Sequence, residues 1–297
     1  MNSDLAIFLV LMIPATAFLG AYDVLGKRLM LKSELPVPLV VGVSFMLSGL
    51  MLSPFLLWTG IPAIGSGFVS AVCAIVLINA ASNFAWYQAL KREEASLLAP
   101  TRLLTPPLVL VTAYFFLGEV PAVAGAIGVL TTILGLYLLI ASEAKTAGID
   151  FLKVLKRPGV LIAFLCAISG AITFSLDKKA VTASSAMFFT VVFFVGVGGC
   201  NLIAALFSGA ATVENLYALR RNSGRIAVFS FVHAAGALLS FAALSFTLAA
   251  YAASTKRLWS LFSVLFAGQI LKEKNIRAKL VAVLVMLIGI AIPLIWG

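Results

Sequence analysis

The chain has 297 residues, 62% of them apolar and 11% charged, with a formal net charge of +10 and a mean hydropathy of +1.13. Soluble domains average roughly 45–50% apolar and about 25% charged residues, so the composition excludes an ordinary soluble enzyme and implies an all-α integral membrane protein. The basic excess is dispersed between apolar runs rather than gathered on an appended domain, which argues against nucleic acid as a partner.

Runs able to cross ~30 Å of hydrocarbon, at about 20 residues each, fall at residues 5–26, 36–59, 66–90, 95–117 and 120–141, and again at 158–178, 184–208, 226–250, 252–271 and 280–296. The first follows only Met1-Asn2-Ser3-Asp4, without a basic n-region or a cleavage pattern, and reads as a mature span rather than a signal peptide. The third carries a polar stripe, because Asn79, Asn83 and Trp86 or Tyr87 recur at i, i+4 and i+7 or i+8 on one helix face. Pro100, Pro106 and Pro107 in the fourth remove backbone donors within the membrane and predict a broken helix beside Arg102. Glycines 125, 128 and 135 in the fifth run, and 196, 198 and 199 in the seventh, let helices approach closely. Residues 226–271 are charged only at Lys256 and Arg257 and need two passes, which divides them at Tyr251-Ala252-Ala253-Ser254. The connections near 142–157 and 209–225 are too short to fold independently. Cys73, Cys166 and Cys200 stand in separate runs and offer neither a disulfide framework nor a metal-ligand spacing, so no metal and no cofactor is expected.

Residues 87–141 lie over 241–295 with a constant offset of 154. Tyr87-Gln88-Ala89-Leu90 falls on Phe241-Ala242-Ala243-Leu244, Thr101-Arg102 on Thr255-Lys256, Leu117 and Glu119 on Leu271 and Glu273, and Gly135 on Gly289. Internal duplication in so apolar a chain is the signature of a secondary transporter whose halves move about a shared site. The expected domains are a first repeat over 1–142, a connecting loop over 143–157 and a second repeat over 158–297.

Charge placement gives the orientation. The loops after runs one, three, five, seven and nine hold sixteen of the 21 Lys and Arg residues, among them Arg28, Lys91, Arg157, Arg225 and Lys272. By the positive-inside rule these loops are cytoplasmic. Both termini then lie outside, and two halves of five helices each are inverted relative to one another. The fold class expected is therefore ten transmembrane helices in two inverted five-helix repeats, in a multi-pass protein of the cell (inner) membrane.

The pattern Tyr87-x-Ala89-Leu90, then Ala99-Pro100, Pro106, Leu117-Gly118-Glu119 and a glycine-bearing fifth helix resembles the EamA-type half of the drug/metabolite transporter superfamily. The second half repeats it more loosely. The resemblance implies ten helices in two inverted repeats around a central cavity. The chain departs from many members in lacking charge in the loop Thr59–Gly65, and from better-known ones in placing its termini outside.

Ionisable side chains within a span are costly and usually face a cavity or a partner. Arg102 lies about two turns into the fourth run and Lys256-Arg257 about one turn into the ninth, with Lys256 at the place the offset assigns to Arg102. Positive charge on two repeat-related helices suits an anionic or zwitterionic solute. Snorkelling to the interface is the alternative for these long side chains. Adjacent residues on a helix point ~100° apart, so Lys256 and Arg257 share a narrow cavity only if the helix unwinds locally. The pair is also similar to one that triose-phosphate translocators place on their ninth helix to hold phosphate. The offset carries Asn79 onto His233, the one histidine of the chain, which leaves open proton coupling or, more commonly, packing across helices. Asp177, beside Lys178 and Lys179, reads as part of an interfacial salt bridge. Glu119 and Glu273 read as fixing turns.

The candidate substrate-binding set is thus Arg102, Lys256, Arg257, Asn79, Asn83, Trp86, Tyr87 and His233. The function expected is secondary transport of a small organic metabolite by alternating access, with proton or counter-solute coupling compatible with it. A lipid flippase or a non-transporting membrane subunit of the same fold is the alternative. An integral membrane enzyme would need a His, Asp, Glu or Cys constellation at one membrane face, which one histidine and scattered cysteines do not supply.

Overall fold

A computed structural model describes residues 3–33, 35–92, 104–147, 158–271, 285, 287–289 and 291–292. Among the described residues every regular element is helical. In chain order these are α1 (Ser3–Ser33), α2 (Val37–Leu52), a 3-10 turn over Ser53–Phe55 leading into α3 (Leu56–Thr59), α4 (Phe68–Arg92), α5 (Thr105–Leu117) and α6 (Val123–Ala147). After residues 148–157 come α7 (Pro158–Thr182), α8 (Ala186–Phe207), α9 (Val213–Arg221), α10 (Ser223–Ala243), a 3-10 turn over Leu244–Phe246, α11 (Ala249–Lys256) and α12 (Leu258–Leu271).

Among the described residues, five stretches are long and apolar enough to cross a membrane: Ser3–Gly26, Val37–Thr59, Pro158–Thr182, Ala186–Phe207 and Ser223–Phe246. Shorter apolar helices cover Phe68–Ser82, Thr105–Leu117 and Val123–Gly135. Large apolar side chains such as Leu57, Trp58, Leu77, Phe115 and Phe207 stand exposed on the outer surface, an arrangement that is stable against hydrocarbon and aggregation-prone in water. The interior is built from small residues as much as large ones. Gly198 of α8 lies against the backbone of Met46 and Gly42 on α2, Gly20 of α1 against Phe262 and Ser263 on α12, and Gly236 of α10 against Phe18 and Leu19 on α1. Lipid tails are as apolar as the helices, so close van der Waals approach holds such helices together. The glycine reading therefore applies to Gly198, whereas a side chain at Gly199 would meet open space.

Two boundaries differ from the sequence reading, and the break expected beside Arg102 lies outside the described residues. The break between the eighth and ninth runs lies at Thr247-Leu248, which are extended, and Tyr251–Ser254 are inside α11. Ala and Ser are good enough helix formers to continue the turn once the preceding residues have left the helix. Pro106 and Pro107 stand in the first turn of α5, where missing donors cost nothing because the first N–H groups of a helix have no intrahelical partner. The connection 209–225 contains α9, an extra amphipathic helix. The start of α4 at Phe68 and that of α10 at Ser223 nevertheless lie 155 residues apart, within one residue of the offset of 154.

The α5–α6 turn has the glycine geometry expected of it. Gly118 is left-handed (φ 68°), its N–H bonds Tyr114 O at 3.1 Å, and Glu119 N–H reaches Ala113 O at 3.3 Å, which closes the helix with the 5→1 bond of an αL cap. Glu119 then does more than fix this turn. Its Oε2 accepts from the N–H of Ala249 at 2.7 Å, at the start of α11, and its Oε1 pairs with Lys178 of α7. Lys178 Nζ also donates to Thr247 O at 2.6 Å. Glu119 thus caps a helix whose own N-cap residue, Leu248, has no side chain able to do so.

Candidate functional site

The helices line an open cavity of about 330 Å³. Its floor and walls come from both halves of the chain: Tyr22 on α1, Asn79 and Trp86 on α4, Phe174 and Asp177 on α7, His233 and Phe241 on α10, and Lys256 on α11, with Arg257 and Trp259 following.

The placement of the two cations follows from the local chain. α11 is eight residues long and almost wholly buried through Ala249, Ala250, Ala252, Ala253, Ser254 and Thr255. Ser254 Oγ bonds Ala250 O at 3.0 Å and Thr255 Oγ1 bonds Tyr251 O at 2.9 Å, back-bonding that bends a helix. The next N–H, of Arg257, goes to Ser254 O at 3.0 Å, one residue short of the α-helical register, and α12 starts afresh at Leu258. At this interruption Arg257 keeps a right-handed helical backbone (φ −65°, ψ −14°), a one-residue 3-10 tightening rather than an unwinding, and both adjacent cationic side chains line the cavity. Lys256 Nζ lies 5.3 Å from the ring centroid of Phe174 and 5.8 Å from that of Phe241, so ring faces supply part of the field that hydration would otherwise provide.

Asp177 is the residue that sequence reasoning misplaced. It is buried, lines the cavity, and leaves Oδ1 without a hydrogen-bond partner among the described residues. The salt bridge assigned to it belongs to its neighbour, since Lys178 is the residue paired, with Glu119. Successive residues on α7 point ~100° apart, and packing turned Asp177 inward and Lys178 toward α11. A signal was present: the offset of 154 that relates Asn79 to His233 also relates Asp23 to Asp177. Asp177 and Lys256 line the same cavity.

Asn79 and His233, paired by the offset, both reach this cavity. Asn79 Nδ2 donates to Ile75 O of its own helix at 2.8 Å. His233 is held in an aromatic frame, stacked on Tyr22 at 4.0 Å between centroids and edge-on to Phe45 and Phe194 at 4.7 and 4.9 Å. Its Nδ1 has no hydrogen-bond partner among the described residues. Trp86 lines the cavity as well, joined by Ser82 one turn before it, which the sequence reading left out. Arg102, and the side chains of Asn83 and Tyr87, lie outside the described residues.

Comparison with known proteins adds the following. Residues 6–141 match the EamA-like transporter family. No curated protein matches the chain. A solved crystal structure resembles it over 96% of this chain and 95% of the other, with a TM-score of 0.70 at 14% sequence identity, a likeness that concerns the fold alone.

Proposed function

We propose, from the match of residues 6–141 to the EamA-like transporter family, that this multi-pass membrane protein is a transporter of the drug/metabolite superfamily that moves a small zwitterionic organic metabolite by alternating access. The observation that carries this reading is the cavity itself, where Lys256 and Arg257 stand together with Asp177. A solute bearing both a carboxylate and an ammonium group matches both signs. A purely anionic solute would offer no donor to Asp177 Oδ1, which has no hydrogen-bond partner among the described residues, and a buried unsatisfied polar atom is costly. Phe174, Phe241 and Trp86 give the solute's carbon skeleton an apolar surface, and about 330 Å³ is at the lower end of small-molecule pockets.

Two inverted five-helix repeats, 1–142 and 158–297, supply the mechanism in this proposal. The residue correspondences at the offset of 154 support the duplication, and the interruption at Arg257 gives one repeat a discontinuous helix beside the site, as transporters often have. Rocking of one repeat against the other exposes the cavity first to one face of the membrane and then to the other. Proteoliposomes test this. Purified protein should exchange a labelled zwitterionic solute against the same unlabelled solute inside, and anionic analogues lacking the ammonium group should compete at least ten-fold less well. Movement of labelled phospholipid without solute exchange would replace the reading by a flippase.

The charge bias places both termini outside the cytoplasm of a cell-membrane protein. Ser66 and Ser208 are exposed positions on connections of opposite parity. With Cys73, Cys166 and Cys200 replaced, Ser66→Cys should react with an impermeant thiol reagent in intact cells and Ser208→Cys only after lysis. Reaction of Ser208→Cys from outside reverses the orientation.

A further inference from the structure

A second cavity, of about 390 Å³, lies between α1 and α10 away from the central site, lined by Leu25, Arg28, Leu29, Gly224, Arg225 and Val228. Its position is set by the ends of two spans. The apolar stretch of α1 closes at Gly26 and that of α10 opens at Ser223, so Arg28 and Arg225 stand at one membrane boundary. They come from the ends of helices far apart in sequence, each in a basic segment of the same parity. The fold converges their charge on one cavity that, among the described residues, no acidic side chain lines.

The connection leading into this cavity is α9. Nine residues span only about 13–14 Å at ~1.5 Å per residue, too little to cross the bilayer. Its exposed side includes Val213, Leu216 and Tyr217 at i, i+3 and i+4, while Arg220 and Arg221 fill its last turn and Leu219 is buried against the protein. An apolar stripe beside arginines on a short helix is the pattern of a segment lying in the plane of the headgroups.

We propose that the α1–α10 cavity binds the phosphate of an anionic phospholipid headgroup from the adjoining leaflet, with Arg28 and Arg225 as its ligands. Leu25, Leu29 and Val228 face the start of the acyl chains, an apolar contact that a free anion does not need. Arg225 gives one bond to Asn222 Oδ1 at 3.0 Å, and a guanidinium has five N–H donors, enough for phosphate as well. A side chain at Gly224 would meet nothing within 4 Å, so that side of the cavity is open to a headgroup.

The test measures the melting temperature of the full chain in detergent against added short-chain phosphatidylglycerol, phosphatidylcholine of the same chain length, and inorganic phosphate. A ligand of the folded state raises apparent stability by mass action. Phosphatidylglycerol should stabilise at concentrations where the other two do not. The double substitution Arg28→Gln with Arg225→Gln should raise the phosphatidylglycerol concentration needed by ten-fold or more. Gly224→Leu, which fills the cavity and keeps both charges, should do the same. Equal stabilisation by both lipids, or undiminished response of the two variants, overturns the site. Stabilisation by inorganic phosphate equal to that by phosphatidylglycerol, and dependent on the same arginines, assigns the site to a free anion and overturns the lipid.

Discussion

Lys256→Gln should weaken solute binding about ten-fold or more while leaving the amount of folded protein unchanged. A hydrogen bond to a charged group is typically worth about 1.5–3 kcal/mol, and the Lys256 ammonium lines the cavity with ring faces of Phe174 and Phe241 nearby. Folding survives because removing a charge from a membrane interior relieves a cost. Asp177→Asn should give a loss of similar size, through the ammonium end of the solute. The two losses differ in a way that identifies the ends. An analogue without its ammonium group should be insensitive to Asp177→Asn and still sensitive to Lys256→Gln. The measurement is half-saturation of exchange in proteoliposomes carrying equal amounts of folded protein. Unchanged affinity in both variants would return Lys256 to the role of an interfacial anchor and remove the support for a zwitterionic solute.

Gly198→Val should deplete folded protein, and Gly199→Val should not. A Cβ at position 198 would stand 2.8 Å from the backbone nitrogen of Met46 and 3.2 Å from the carbonyl oxygen of Gly42. Neither is the movable end of a side chain, so α2 and α8 would have to separate along their length. Overpacking costs typically ~1–3 kcal/mol and more where the backbone must shift. One residue on, a Cβ at 199 meets nothing within 4 Å, which controls for the change in helix propensity and in hydrophobicity. Monodisperse yield on size exclusion and melting temperature in detergent read the difference. Equal behaviour of the two variants would mean that the α2–α8 contact does not limit stability.

Much of the site was legible because the bilayer constrains sequence so strongly. Ionisable and amide groups are rare within apolar runs, and their cost makes each a candidate, so Asn79, Trp86, His233, Lys256 and Arg257 could be named from their positions alone. All five line the central cavity. The constant offset, which pairs Asn79 with His233 and Arg102 with Lys256, needs only the sequence as well.

Tertiary structure decided what depends on rotation about a helix axis and on packing between helices. In the run Asp177-Lys178-Lys179 the sequence offers three charges within one turn, and a difference of ~100° between neighbours separates a cavity residue from a structural ion pair. Contacts of α7 with α11 and with the α5–α6 turn made that choice, giving Lys178 to Glu119 and leaving Asp177 to the cavity. The interruption at Arg257 was equally closed to sequence reasoning, since Ala249–Lys256 and Leu258–Leu271 are both helix-compatible and the break falls between them without glycine or proline. Composition and periodicity determined that helices cross the membrane and which residues are too polar to face lipid. The side on which each polar residue turns, and the partner it meets there, were set by side-chain packing between helices distant in sequence.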